Sequence, residues 1–225
     1  MNVLVACEES QRVSTAFRER GHNAFSCDIQ PCSGGHPEWH IQGDALAVLT
    51  VGEITTMDGI VHNIQHWDML IAHPPCTYLS NVHTKGFSLR VTPPEKVVQR
   101  WIERAKAAVF FMQFMGADIP KICVENPVGF MNTAYRKPDM IIHPYMFAEN
   151  ENDNENYVTK ATCLWTKGLP ALKTNNLPKP DNAAMYGRFP SGKAKTWEDQ
   201  VTKNRACVRS KTFPGIARAM AEQCG

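Results

Sequence analysis

Cys76 ends the segment Asp68-Met69-Leu70-Ile71-Ala72-His73-Pro74-Pro75-Cys76-Thr77, an apolar run closed by two prolines. A thiol on so stiff a loop can act as a nucleophile once it loses its proton. A lone cysteine is more often a small buried hydrophobe, so its company decides the reading. That company is three carboxylates. Asp28 closes the run that begins near Asn23, Asp44 follows Gly43, and Glu125 closes Lys121-Ile122-Cys123-Val124. A carboxylate at a strand end can accept both hydroxyl hydrogen bonds of a ribose, or the amine of a base. Taken singly, Asp28 and Asp44 read as turn residues and Glu125 as a helix cap. His73, three residues before the thiol, is placed to tune it, although a lone histidine in a tight loop is as often structural. A second constellation, Cys27, Cys32, His36 and His40, has zinc-ligand residue types in a C-x4-C-x3-H-x3-H series. Its spacing fits the common zinc sites loosely, and a polar loop around Pro31, Gly34, Gly35 and Pro37 accounts for it equally simply.

These groups need elements to carry them. Residues 3–7 read as a buried first strand, 10–20 as a short amphipathic helix ended by Gly21, and 23–27 as a second strand. Residues 68–72 form the strand before Cys76, and 121–125 the strand before Glu125-Asn126-Pro127. Between them, 94–116 is the clearest helix, started by Pro93-Pro94 and ended by Gly116. Its apolar positions Val97, Val98, Trp101, Ile102, Ala105, Ala108, Val109 and Met112 recur at helical spacing and predict its buried stripe. Strand–helix alternation predicts a largely parallel α/β sheet, in which ligands bind beyond the carboxyl ends of the strands. Segment 51–67 reads as a loop insertion, and 150–156 as an acidic, asparagine-rich surface loop. Residues 158–165 allow one more strand, and 213–223 a last helix. The region 131–207 is expected to be a small irregular lobe outside a core of residues 1–130 and 208–225. The cations between Arg188 and Lys211, with Trp165, Tyr186, Phe189 and Trp197, suit either a nucleic-acid face or ordinary packing.

The bulk composition bounds the class. Hydrophobic residues make up 43% of 225, which suffices for a globular core and argues against disorder. The net charge of +2 neither requires nor excludes nucleic acid. The longest apolar stretches are too short to cross a bilayer, and Met1-Asn2-Val3-Leu4 lacks the basic start of a signal peptide. The expectation is a cytoplasmic protein with reduced thiols.

In order, these motifs resemble the DNA cytosine-5 methyltransferases, which use S-adenosylmethionine. Pro75-Cys76 match the family's Pro-Cys, and Ser80 follows in register. Glu125-Asn126 match its Glu-Asn, with Pro127 departing from a valine. Asp28, with Pro31, matches the acid after strand two, and Gly43-Asp44 the acid after strand three. Arg209-Ser210-Lys211-Thr212-Phe213-Pro214, before Ile216–Ala221, looks like a diverged form of the family's last motif. The resemblance covers residues 2–130 and 208–223. It implies a Rossmann-like methyltransferase sheet with helices on both faces, methyl transfer to carbon 5 of cytosine, and DNA as the partner. Cys76 and Glu125 would be catalytic, and Pro75, Ser80, Asn126, Lys160 and Thr162 would face the substrate. Ala6, Glu8, Glu9, Ser10, Asp28, Ile29, Asp44 and Ser210 would hold the cofactor. The chain departs from the family in three places. Ala6-Cys7-Glu8-Glu9-Ser10-Gln11 has none of the family's loop glycines, Thr77 replaces a glutamine, and Lys160 and Thr162 stand where an arginine-bearing strand is usual. The short region between Glu125 and the last helix keeps open a free nucleotide or another pyrimidine as substrate, and the missing glycines a fold that binds without catalysis.

Overall fold

The computed structural model describes residues 1–200 and 205–225, with backbone alone at His83 and at 205–207. The elements run β1 (Asn2–Ala6), α1 (Arg12–Glu19), β2 (Asn23–Asp28), β3 (His40–Gln42), β4 (Gly52–Thr55), β5 (Val61–Ile64) and β6 (Met69–Ala72). Then come α2 (Pro94–Met115), β7 (Lys121–Pro127), α3 (Met131–Ala134), β8 (Met140–Ile142) and β9 (Thr162–Lys167). The chain closes with α4 (Asn182–Tyr186), α5 (Trp197–Gln200), α6 (Arg205–Ser210) and α7 (Pro214–Cys224).

Seven strands form one sheet in the order β3-β2-β1-β6-β7-β9-β8. Those from β3 to β7 are parallel, and β9 runs antiparallel to both β7 and β8. The order reverses between β1 and β6, which opens a crevice beyond their carboxyl ends. The central strands are apolar throughout because both faces are covered. Along β1, Val3 and Val5 face one layer, while Leu4 and Ala6 face the other. Val13 and Phe17 of α1 and Ile216 and Met220 of α7 fill the first layer. Phe111 and Phe114 of α2, with Ile54, Ile64 and Trp67, fill the second. The protein is thus an α/β, Rossmann-like sheet with helices on both faces. Among the described residues, no helix is long and apolar enough to cross a membrane.

Four expectations need correction. Segment 51–67 is an antiparallel β4–β5 hairpin that drives Ile54, Ile64 and Trp67 into the core. The irregular lobe expected at 131–207 is smaller, since β8 and β9 extend the main sheet and β9 pairs with six consecutive residues of β7. Loop 150–156, expected to be a mobile surface loop, is at the surface over 150–155 but anchored at its end, where Asn156 Oδ1 accepts the Gly215 N–H at 2.7 Å at the start of α7. A side chain at Gly215 would strike the Phe147 carbonyl, so glycine permits that approach. Finally, α2 has the expected limits but buries a different face. Val97, Arg104, Phe111, Phe114 and Met115 are inside, while Val98, Ile102, Ala105, Val109 and Met112 are exposed. The helix carries two apolar stripes, and the aromatic one packs on the sheet, where Phe111 meets Trp165 edge-on at 5.1 Å.

Candidate active site

The parallel register between β6 and β7 sets Ala72 beside Val124, so His73, just past the end of β6, comes beside Glu125, which stays in β7 and pairs with Leu164 of β9. The His73 Nδ1 lies 2.9 Å from the Glu125 Oε2. Both side chains are largely buried, at 9% and 17% exposure. The His73 backbone N–H donates to the Ala6 carbonyl, tying the loop to the end of β1 as well. Burial alone would lower His73 and raise Glu125. The hydrogen bond and mutual charge reverse both, so His73 lies above its ordinary value and Glu125 below its own. Each partner thus favours the charged form of the other.

Cys76 is exposed, three residues beyond His73. Its carbonyl accepts the N–H groups of Leu79 and Ser80 at 3.0 and 2.9 Å, so the loop folds into a tight turn. Three further ties fix that turn. Asn126 Nδ2 donates to the Pro74 carbonyl at 2.8 Å. Ser80 bridges to Gly129, where a Cβ would sit 2.0 Å from the Leu79 carbonyl. Arg104 of α2 donates Nε–H to the Tyr78 carbonyl at 2.8 Å, with its guanidinium 3.4 Å from the centre of the Phe87 ring. Enough protein surrounds the Cys76 sulfur for desolvation to raise its pKa, and Glu125 raises it further. Lys160 and Arg209 act in the opposite sense.

The other end of the rim, beyond β1, β2 and β3, is built differently. Asp28 accepts the Gln30 N–H at 2.9 Å and Asp44 the Leu46 N–H at 2.9 Å, so each shapes its own turn with one oxygen. Both carboxylates raise the buried thiol of Cys7, after desolvation, which sets all three in one neighbourhood. Ile29, between them in the chain, is 76% exposed, an unusual state for an isoleucine. The first loop lacks glycine but not the backbone that glycine would adopt. Cys7 and Gln11 have φ of 59° and 58°. Such conformations cost a non-glycine residue on the order of 1 kcal/mol each. Gln11 is held there by two hydrogen bonds to the His36 backbone. Glu9 bonds the Ser33 hydroxyl, to which Lys211 also donates at 3.0 Å.

Several expected ligand contacts point elsewhere. Ala6 is wholly buried, and its carbonyl is taken by His73. Glu8 is 4% exposed and accepts the N–H groups of Val13 and Ser14, so it caps α1 in place of meeting a ligand's ammonium. Burial pushes its carboxyl up, against His73 and those two donors. Ser80 uses its hydroxyl on Val82 N–H, and Thr162 is buried in β9 with its hydroxyl on the Lys160 carbonyl. Asn126 is buried and fixes Pro74, with its Oδ1 unpartnered among the described residues. Lys160 reaches the Arg209 carbonyl at 2.8 Å and lies over Phe213, which draws the Ser210 segment toward the rim. Pro75, Cys76, Ser10, Asp28, Ile29 and Asp44 keep some surface. Cys27, Cys32, His36 and His40 do not converge: His40 is buried between Ser26 and the Gln30 carbonyl, and His36 stacks on Trp39. Among the described residues no cluster could hold a metal ion. Trp165 is core, and Trp197 packs on Phe213. Part of the cation-rich stretch 188–211, residues 201–204, lies outside the described residues. The residues missed in the sequence are His73 as the partner of Glu125, Arg104 and Gln11. Only the first had a signal, two strand ends that align when β6 and β7 are set parallel.

No family model matches this chain, and no curated protein matches it. Among solved structures that match is one assigned as a DNA modification methyltransferase encoded within a prophage of E. coli. It is 13% identical, with a TM-score of 0.43, over 84% of this chain and 56% of that one. The chain therefore spans just over half the length of that protein.

Proposed function

We propose that this protein transfers a methyl group from S-adenosylmethionine to carbon 5 of cytosine in DNA, through a transient covalent adduct at Cys76. The observation that carries this reading is the pairing of strand ends. Cys76 lies on the loop that follows β6 and Glu125 near the end of the neighbouring strand β7, Glu125 acts electrostatically on the Cys76 sulfur, and His73 holds Glu125 in place. Carbon 5 of a pyrimidine is a poor nucleophile. Adding the Cys76 thiolate at carbon 6 makes carbon 5 enamine-like. Glu125 accepts from the exocyclic amine, and from N3 once that nitrogen takes up a proton as the ring accepts the sulfur. Loss of the carbon 5 proton then expels Cys76. A base inside a duplex is out of reach, so the target is flipped out or single-stranded.

Bound S-adenosylmethionine would supply the electrophilic methyl group. The donor set at the ends of β1–β3 fits that molecule: Asp28 for ribose hydroxyls, exposed Ile29 for a face of adenine, and Asp44 for its amine. Glu8 does not take part, because α1 occupies both its oxygens.

The test is incubation with labelled S-adenosylmethionine and DNA containing 5-fluorocytosine. A stable adduct on the peptide bearing Cys76 supports the reading, and label transfer without an adduct removes the covalent step. A second reading, the same chemistry on a free nucleotide, is favoured by the size of the chain outside the sheet. Once β8 and β9 join the sheet, the expected lobe at 131–207 keeps chiefly residues 143–161 and 168–207 to read a DNA sequence. Comparing deoxycytidine monophosphate, single strands and duplex separates the two.

A further inference from the structure

We propose that His73 is the positioning residue of this rim: clamped between Glu125 and the end of β1, it orients that carboxylate and offsets its negative charge at the Cys76 sulfur. The inference deepens the reading above, but its test needs neither cofactor nor DNA.

Position comes from two anchors, the Ala6 carbonyl on the backbone N–H and Glu125 on Nδ1. The imidazole is largely buried, and its Nε2 has no hydrogen-bond partner among the described residues. A neutral ring bonded once would gain little from burial. An imidazolium facing Glu125 on one side and the carboxylate of Glu8 in the first loop gains from both charges. Among the described residues Lys160 is the cation that opposes it, beside burial itself. The groups that act on Cys76 are Glu125 on β7, Lys160 ahead of β9 and Arg209 on α6. The two cations favour a thiolate and Glu125 opposes it. Desolvation also raises the thiol, so neutralising Glu125 locally, as His73 does, removes one of two opposing influences and lets the cations count for more. When His73 loses its proton at higher pH, the uncovered carboxylate again disfavours the thiolate. The thiol and the imidazole are therefore coupled through Glu125, which neither residue's position in the sequence announces.

The experiment follows alkylation of Cys76 by iodoacetamide across pH in the isolated full-length protein, read by peptide mass spectrometry so that the other cysteines do not interfere. His73→Gln keeps an N–H to reach Glu125 but carries no charge. It is expected to move the midpoint of the Cys76 profile up by about one pH unit. Glu125→Gln is expected to move it down. The double variant His73→Gln/Glu125→Gln is expected to match Glu125→Gln, because no carboxylate is left to offset. A His73→Gln midpoint equal to wild type, or an equal upward move in the Glu125→Gln background, overturns the proposal. Should His73→Gln fail to fold, nuclear magnetic resonance of labelled histidine decides between wild type and Glu125→Gln. His73 titrating above 6.5 in wild type and lower in Glu125→Gln supports the coupling, and identical titrations overturn it. A failed 5-fluorocytosine adduct with these shifts intact would sink the methyl-transfer reading alone.

Discussion

The two halves of the carboxyl rim solve the problem of presenting polar groups in opposite ways. At the ends of β6 and β7 the polar groups are buried and bonded to one another. His73 pairs with Glu125, Asn126 holds Pro74, and Arg104 holds Tyr78, so the short exposed run Pro75-Cys76-Thr77 projects from a fixed base. At the ends of β1–β3 the carboxylates of Asp28 and Asp44 each shape a local turn, and a bare Ile29 stands between them. The first half is preorganised, as a reacting centre must be if charge is to be stabilised without rearrangement. The second is open, as suits a ligand that enters and leaves. Predictions that strike the first half should therefore stop chemistry or unfold the protein, and those that strike the second should weaken binding by steps.

The largest expected effect is on Cys76. Replacing it with alanine should reduce methyl transfer by roughly a thousandfold or more while leaving the thermal transition near that of wild type. Residual turnover close to wild type would dissolve the contrast, since the projecting group would then be incidental.

Next comes His73→Leu, which strands a buried carboxylate. It should destabilise the protein by about 3–5 kcal/mol in denaturant titrations near pH 6. The pH dependence has a definite sign. The raised pKa of His73 gives stability that is complete below 6.5 and lost as pH climbs through the raised value. The lowered pKa of Glu125 gives stability present above 4.5 and lost as pH falls through the lowered value. The gap between wild type and His73→Leu should peak between those limits and shrink at alkaline pH. A gap that grows with pH contradicts the ion pair.

Asp28→Ala should weaken S-adenosylmethionine binding by about tenfold to a hundredfold in calorimetry, the loss of charge-assisted hydrogen bonds, with little change in stability. Smallest of all, Cys7→Gly should stabilise the fold slightly, by up to about 1 kcal/mol, because φ at this position suits glycine. Destabilisation there would mean that the packing of the thiol outweighs the backbone.

Much of the fold was legible because its signals are local. Proline at 93–94 and glycine at 116 bound α2, and the apolar runs at 69–72 and 121–125 became β6 and β7. Asp28 closes β2 as expected and Asp44 and Cys76 follow β3 and β6 in loops, whereas Glu125 lies inside β7, which runs on to Pro127. What was missed depends on distant partners. The strand Met140–Ile142 is three residues long and exists because β9 pairs with it. The hairpin at 52–64 has one buried residue per strand and earns its place through Trp67 and Phe25, whose rings meet at 6.2 Å. Glu8 looked available because its charge was visible, whereas the two N–H groups that hold it belong to the next helix.

The amino-acid sequence by itself determined the limits of α2 and the placement of β1, β2, β6 and β7, with a thiol or a carboxylate near their carboxyl ends, because proline, glycine and hydrophobic spacing act within a few residues. Only the tertiary structure decided which stripe of α2 faces inward and that His73 meets Glu125 across fifty-two positions. Periodicity can reveal a helix with two apolar stripes, but the choice between them is made by the surface that packs against it. A histidine's charge is likewise set by whichever carboxylate the sheet register delivers to its side.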